Sequence, residues 1–165
     1  MRSISILIKY VAAMILNGLV AHSAYAADDV LTQAVSFAVT GSDANRVVVV
    51  DRAKCVFRVK SNTYYFNNIY ADRISFQNLH NRLGRVWTTI EMHGKQKVAD
   101  ISTVSVQEPA ELSKELRDYY REVYDANSTS YADYTLQIDT HESVRLIKAW
   151  QYIYANGCKG ITSPF

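Results

Sequence analysis

Several features that would point to a particular class of protein are scarce in this sequence. Its 165 residues include only two prolines, two cysteines and six glycines, and its 18 Lys and Arg nearly balance its 16 Asp and Glu. The compositional signatures of collagen, coiled coils and disordered chains are therefore missing. Removal of the first 26 residues would take away Arg2 and Lys9 and leave 16 basic against 16 acidic residues. Because a neutral chain has no large positive field, nucleic acid and acidic membranes are not expected as partners.

Long hydrophobic runs are absent as well, and the most apolar segment, residues 11–20, has about ten residues, whereas a transmembrane helix needs about twenty. This segment follows two basic residues and precedes Ala24 and Ala26, small residues in the pattern that signal peptidase accepts. We therefore predict a signal peptide over residues 1–26 and export to the periplasm or the cell exterior, with no stable membrane insertion of the mature chain. An uncleaved N-terminal anchor is the alternative.

Export changes the interpretation of the two cysteines, Cys55 and Cys158, because exported proteins meet an oxidising compartment. A single pair in such a chain predicts one disulfide. The bridge would connect an early strand to the C-terminal helix. A redox-active thiol is the alternative, but neither cysteine belongs to a Cys-x-x-Cys motif.

The first half of the mature chain is composed of short runs rich in β-branched and aromatic residues, separated by turn residues. The predicted strands are residues 34–40, 46–50, 55–60, 63–70, 74–77, 86–93 and 98–106. In the run 55–60, Cys55, Phe57 and Val59 alternate with Val56, Arg58 and Lys60, which predicts one buried and one solvated face. The short connections favour antiparallel pairing.

The hydrophobic period changes to that of a helix after residue 107. Helices are predicted over residues 109–124, beginning at Pro109, and over residues 141–156, ending at Gly157 in a left-handed conformation. Between them we expect a polar loop over residues 125–130 and a strand over residues 134–138. No linker or repeat divides residues 27–165. The predicted fold is therefore a single α+β domain, with an antiparallel sheet of about six to seven strands (residues 34–107 plus 134–138) packed by the two C-terminal helices.

No cofactor or metal motif is present, since the glycines are scattered and no two histidines have the spacing of a zinc site. The best candidate for chemistry is the pair Glu91 and His93, which would share one face of a strand with Trp87 and Thr89. Joined by Asp100, or by Asp72 or His141, this pair would suit an exported hydrolase or metal-dependent enzyme. A solvated sheet face with no catalytic role explains the same pattern.

Tyrosine is the unusual residue of this chain, with twelve in the full sequence. A tyrosine presents a rigid apolar ring with a polar tip, which suits recognition of a protein, a peptide or a glycan. The best candidates for an exposed patch lie around the predicted polar loop: Tyr119, Tyr124, Tyr131 and Tyr134. We therefore expect a non-catalytic binding domain, with the hydrolase as the alternative. The loop also contains Asn127 in a glycosylation triplet, which matters only in a eukaryotic host.

Overall fold

A computed structural model describes residues 30–80, 86–104 and 113–164, and the predicted signal peptide lies outside the described residues. The helices are α1 (30–40), α2 (Lys114–Ala126) and α3 (Ser143–Ala155). The strands are β1 (Val47–Asp51), β2 (Val56–Val59), β3 (Asn62–Tyr65), β4 (Ser75–His80), β5 (Val86–His93), β6 (Ala99–Ser102), β7 (Ser128–Tyr131) and β8 (Asp133–Ile138). Two single-turn 3-10 helices, Phe66–Asn68 and Ala71–Arg73, connect β3 to β4.

The strands pair antiparallel, and the α+β fold predicted from the sequence is confirmed. They form two sheets rather than one, a five-stranded sheet in the order β1-β2-β3-β6-β7 and a three-stranded sheet in the order β4-β5-β8. The chain crosses from one sheet to the other at Ala132, between β7 and β8. The carbonyl of Ala132 accepts a hydrogen bond of 2.9 Å from the Gly94 N–H, which fixes this crossing to the end of β5.

The hydrophobic core lies between the sheets and helices α1 and α3. Trp150 of α3 is 2% exposed, and its indole N–H donates a 3.0 Å hydrogen bond to the carbonyl of Ala38 in α1. Its ring contacts Phe66, which is fully buried, with 5.4 Å between the ring centres. A buried indole with a satisfied N–H contributes a large apolar area without an unpaired donor. The hydrogen bond between Trp150 and Ala38 connects α3 to α1.

The predicted disulfide is present between Cys55 and Cys158, with 5.5 Å between the Cα atoms. Both residues are buried, at 1% and 0% exposure. Cys55 comes directly before β2, and Cys158 follows the end of α3. The bond therefore links the five-stranded sheet to the C-terminal helix, as the sequence predicted.

The prediction of a strand over residues 34–40 is wrong, because this segment is the second part of helix α1. Leu31, Val35 and Ala38 recur at helical spacing and are buried, at 1%, 0% and 0% exposure. Phe37 and Val39 are buried too, so the run is apolar on most sides. A short apolar run of this kind does not distinguish a buried strand from a buried helix by its period.

Strand β2 also differs from the prediction, since it is buried on both faces. Arg58, predicted to meet water, is 6% exposed because α2 covers this side of the sheet. The polar loop predicted over residues 125–130 instead contains β7, which pairs with β6. Helix α2 begins at Lys114 after Ser113, whose hydroxyl accepts the Leu116 N–H as an N-cap. The predicted start at Pro109 lies outside the described residues.

The prediction that Gly157 ends the last helix in a left-handed conformation is wrong. Helix α3 ends at Ala155, its C-cap Asn156 has a φ of −123°, and Gly157 has no positive φ. Among the described glycines, only Gly41 and Gly160 have a positive φ. Gly41, with a φ of +72°, follows α1, and its N–H donates to the Phe37 carbonyl at 2.8 Å.

Candidate functional site

On the outer side of the three-stranded sheet, the residues of the two flanking strands are exposed to solvent, while Trp87 and His93 of β5 are partly exposed and Thr89 is 6% exposed. The inner residues of β5, Thr88, Ile90 and Met92, are fully buried against the core. Their neighbours point to the other side, since side chains alternate along a strand. We call this side the open face. It comprises Ser75, Gln77 and Leu79 of β4, Trp87, Thr89, Glu91 and His93 of β5, and Asp133, Thr135 and Gln137 of β8.

The side chains of the open face form four rows across the paired strands, and we call each row of paired residues a rung. Leu79 pairs with Trp87 at one end, and His93 pairs with Asp133 at the other. The two middle rungs hold Gln77, Thr89 and Gln137, and then Ser75, Glu91 and Thr135. With about 3.4 Å per residue, the face is about 20 Å long from Trp87 to His93. It therefore offers an apolar end, a neutral polar rung formed by Gln77, Thr89 and Gln137, and a charged end that contains Glu91, His93 and Asp133.

Glu91 and His93 lie on one face of β5, as predicted, but each has a partner that the sequence did not indicate. The Nδ1 atom of His93 lies 2.8 Å from the carboxylate of Asp133. The Ser75 hydroxyl donates a 3.0 Å hydrogen bond to Glu91. A histidine oriented by a carboxylate is a common part of acid and base sites. Both members of this pair are well exposed, with side chains 44% and 72% accessible.

The residues predicted to orient Glu91 and His93 are not on the open face. Asp100 is on β6 in the five-stranded sheet. The carboxylate of Asp72 accepts the backbone N–H of Ser163 at 3.0 Å. His141 is exposed in the segment before α3. The signal for the observed partner, Asp133, is its position one residue before the predicted strand 134–138.

Asp100 forms a compact polar cluster on the outer side of the five-stranded sheet. It is 7% exposed and accepts hydrogen bonds from the hydroxyls of Tyr65 and Ser130 and from Lys97 Nζ, the last at 2.8 Å. Burial alone would raise the pKa of Asp100, but these hydrogen bonds from Lys97, Ser130 and Tyr65 outweigh it and lower the pKa below its ordinary value. Because its hydrogen-bond donors lie on β3, β7 and the turn before β6, the cluster ties this part of the sheet together.

The four tyrosines chosen from the sequence do not form one patch. Tyr124 is only 1% exposed, so the expectation that it is available at the surface is wrong. It lies in the last turns of α2, where the sheet covers it, and its ring contacts Tyr120 at 6.2 Å between centres. Tyr119, on the same helix, is 59% exposed.

Tyr131 and Tyr134 contact each other where the chain crosses between the sheets, with ring centres 5.3 Å apart. Tyr131 is exposed, while Tyr134 packs partly against the core. Burial, and to a smaller extent the neighbouring Tyr131, raises the pKa of Tyr134. Tyr134 pairs with Met92, which is fully buried, so its side chain lies on the inner side of the three-stranded sheet. The tyrosine pair therefore lies on the side opposite the open face.

A groove lies between β4 and α3. It has a volume of about 380 Å³ and is lined mostly by apolar residues: Ala71, Ile74, Phe76, Ile147, Trp150, Gln151 and Tyr154. The hydroxyl of Tyr154 is already used in a 3.2 Å hydrogen bond to the Phe66 carbonyl. The indole N–H of Trp150 is occupied as well. Gln151 therefore supplies the main free polar group of this groove.

Within the described ranges, no three His, Cys, Asp or Glu side chains are grouped closely enough to hold a metal ion. In the same ranges, no helix is long and apolar enough to cross a membrane. Comparisons with family models, with curated proteins and with solved structures find no match to this chain. The geometry of its own residues is therefore what supports a function.

Proposed function

We propose that this chain is an exported, non-catalytic binding domain, stabilised by one disulfide, whose partner contacts the open face. The observation that carries this proposal is that the open face presents polar side chains on three paired strands, while the inner residues of β5 and β8 form part of the core. Sites on strands hold their side chains more rigidly than sites on loops. Gln77 and Gln137 make no side-chain hydrogen bonds within the described part of the chain, so their amides are available to a ligand.

Export is supported by the predicted signal peptide together with the disulfide. A bond between Cys55 and Cys158, 103 positions apart, persists in compartments that are oxidising and is rare in the cytosol. Mass spectrometry of the protein exported by its own leader tests this part. We expect a chain that begins at Ala27 and is two hydrogens lighter than its reduced form. An uncleaved chain with free thiols would contradict export.

Tyr131 is exposed, but it contacts Tyr134 on the side opposite the open face, so a partner that binds Tyr131 would use a second surface. An exposed tyrosine supplies contact area at little entropic cost. Tyr134 supports Tyr131 through their ring contact. Tyr119 lies on α2, so a partner that reaches it would use a separate surface.

Photocrosslinking tests the location of the binding surface. Benzophenone reacts with C–H bonds of proteins and glycans alike, so the class of partner need not be known. We would place a benzophenone amino acid at Gln137 on the open face and, as a matched control, at the exposed Gln33 on α1. Adducts formed in the native envelope or culture fluid from position 137 but not from position 33 are expected. Equal adducts from both positions would contradict the proposal.

The hydrolase is a second candidate, which the hydrogen-bonded pair of His93 and Asp133 favours. In this alternative Asp133 orients His93 and Glu91 acts as the second acid or base. The test compares the wild-type protein with Glu91→Gln and His93→Ala on chromogenic esters, phosphates and glycosides. Hydrolysis that both substitutions abolish would establish the enzyme. Rates that neither substitution changes would exclude it.

A further inference from the structure

We infer that the ligand of the open face is a neutral carbohydrate chain. This inference rests on the proposed binding function and adds the chemical class of the partner. Three properties of the face support it: its rung of neutral amide and hydroxyl groups, its aromatic end and the absence of Lys and Arg from its described strands.

The centre of the open face is built from groups that both donate and accept hydrogen bonds. Gln77 and Gln137 flank Thr89 on the two neighbouring strands. An amide side chain offers two donors and one acceptor oxygen, and a hydroxyl offers a donor and an acceptor. A sugar carries the same mixture on adjacent carbon atoms. Amide side chains therefore match sugar hydroxyls without a charge on either partner.

The hydroxyl of Thr89 is an independent indication that the open face binds a further hydrogen-bonding group. It is 6% exposed, and its hydroxyl is buried with no hydrogen-bond partner among the described residues. Leaving a buried hydroxyl unpaired is unfavourable. A ligand hydroxyl between Gln77 and Gln137, or a shift of either amide on binding, would satisfy it.

The Leu79 and Trp87 end supplies an apolar surface next to this polar centre. Trp87 is partly exposed, and Leu79 opposite it is 37% exposed. The face of an indole ring carries negative electrostatic potential, which attracts the weakly positive C–H groups of a sugar ring. Because a pyranose has an apolar C–H side and polar hydroxyl edges, it can contact Trp87 and the neighbouring amides together.

The charge of the face selects against acidic ligands. Glu91 and Asp133 are its carboxylates, and neither Lys nor Arg is among the residues of its three strands. Within the described residues of these three strands, phosphate, sulfate and uronic acid groups would therefore meet no Lys or Arg. Carboxylates readily accept hydrogen bonds from hydroxyl groups, so Glu91 and Asp133 fit a neutral sugar.

A protein partner is the competing possibility, and the composition of the face favours it less. The fully buried centre of a protein interface is depleted of charge and enriched in large apolar side chains. Here the large apolar side chains, Leu79 and Trp87, lie at one end. The two middle rungs hold amide, hydroxyl and carboxyl groups.

Glycan binding by the mature, disulfide-bonded protein tests this inference. A glycan array of neutral glucans, mannans, galactans and chitin fragments identifies the chain that binds, and calorimetry with the corresponding hexasaccharide measures its affinity. Hexagalacturonate serves as the acidic control. We expect a neutral hexasaccharide to bind and hexagalacturonate not to bind.

Substitutions then locate the bound sugar. Trp87→Ala should weaken binding by about tenfold, and Gln137→Ala by about three- to tenfold, because each removes one contact. Gln137 is exposed, so its variant keeps the test valid if Trp87→Ala fails to fold. Gln33→Ala on α1, where Gln33 is exposed, is the matched control and should bind within about twofold of the wild-type protein.

The inference and the proposed function can fail separately. Absence of binding to every neutral glycan, preference for hexagalacturonate, or sugar binding unaffected by Gln137→Ala would each overturn the carbohydrate assignment. If the benzophenone at position 137 then still gave adducts that the control position did not, the binding function would stand with a protein as its partner. Absence of both glycan binding and position-specific adducts would overturn the carbohydrate assignment and the binding function together.

Discussion

The guanidinium group of Arg58 lies over the ring of Tyr124, with 5.1 Å between Arg58 Cζ and the ring centre. Arg58 belongs to β2 and Tyr124 to the last turns of α2. A cation over an aromatic face is attracted by the ring quadrupole, more strongly where water is excluded. Both residues are buried, so this contact attaches α2 to the outer side of the five-stranded sheet.

We predict that Tyr124→Ala destabilises the protein far more than Tyr119→Ala. Removing a buried aromatic side chain costs about 3 to 5 kcal/mol of unfolding free energy. Tyr119 is 59% exposed, and surface substitutions usually change stability by no more than about 0.5 kcal/mol. Urea unfolding followed by circular dichroism measures both. Equal losses would contradict the burial of Tyr124.

A second prediction concerns the disulfide, which closes a long loop. In the chain-entropy account, a bridge over about 100 residues stabilises the folded state by up to about 4 to 5 kcal/mol. The double variant Cys55→Ala, Cys158→Ala should lose up to this amount in urea unfolding. Reductant should bring the wild-type protein to the same stability and leave the double variant unchanged. A reductant effect on the double variant would show that the loss has another cause.

The sequence predicted those elements whose pattern is local and unambiguous. Strand β5 has the predicted bounds, because the run from Val86 to Ile90 consists of β-branched and aromatic residues that favour a strand. Residues 34–40 were assigned to the wrong type of element, because tertiary packing buries this run on most sides. Leu31 and Val35 at a spacing of four, followed by Gly41, were the available signs of a helix that ends in a glycine.

The sequence predicted only the part of the candidate site that lies on a single strand, β5. The alternation along β5 places Glu91 and His93 on one face without further information. Asp133 is 40 residues from His93 in sequence, and their contact depends on the register of β5 with β8. Gln77 and Gln137 join Thr89 for the same reason. Periodicity within one segment contains no information on which segments pair.

We also predict that Gly41→Ala is destabilising. Gly41 has a φ of +72°, and a Cβ atom there would lie 2.6 Å from Ile138 Cγ2. The left-handed conformation alone costs a residue with a side chain about 1 to 2 kcal/mol, and the contact with Ile138 adds to this. Thermal unfolding provides the measurement.

Gly157→Ala is the matched control for Gly41→Ala. Its φ lies outside the left-handed region, and a Cβ atom there would meet only the end of the flexible Leu31 side chain, at 3.3 Å. We expect a smaller loss of stability than at Gly41. A loss as large as that of Gly41→Ala would instead restore Gly157 as the left-handed residue that the sequence predicted.

The last prediction concerns acid stability, which we expect to depend on Asp100. Hydrogen bonds from Lys97, Ser130 and Tyr65 lower its pKa in the folded protein, despite the opposing effect of burial. A carboxyl group with a lowered folded pKa stabilises the protein above its unfolded pKa, and this stabilisation disappears as the pH falls through the folded pKa. The ordinary value is 3.8, so the loss should occur below about pH 4.

Asp100→Asn separates this effect from general acid unfolding. At pH 7 the variant should lose about 1 to 3 kcal/mol of unfolding free energy, because it weakens the hydrogen bonds of a buried group. Below about pH 4 the wild-type and variant curves should converge, since the wild-type carboxyl is then protonated. Asp133→Asn, whose side chain is 72% exposed, should follow the wild-type curve within about 1 kcal/mol. A difference between the wild-type protein and Asp100→Asn that stayed constant down to pH 2 would show that the charge of Asp100 is not what stabilises the cluster.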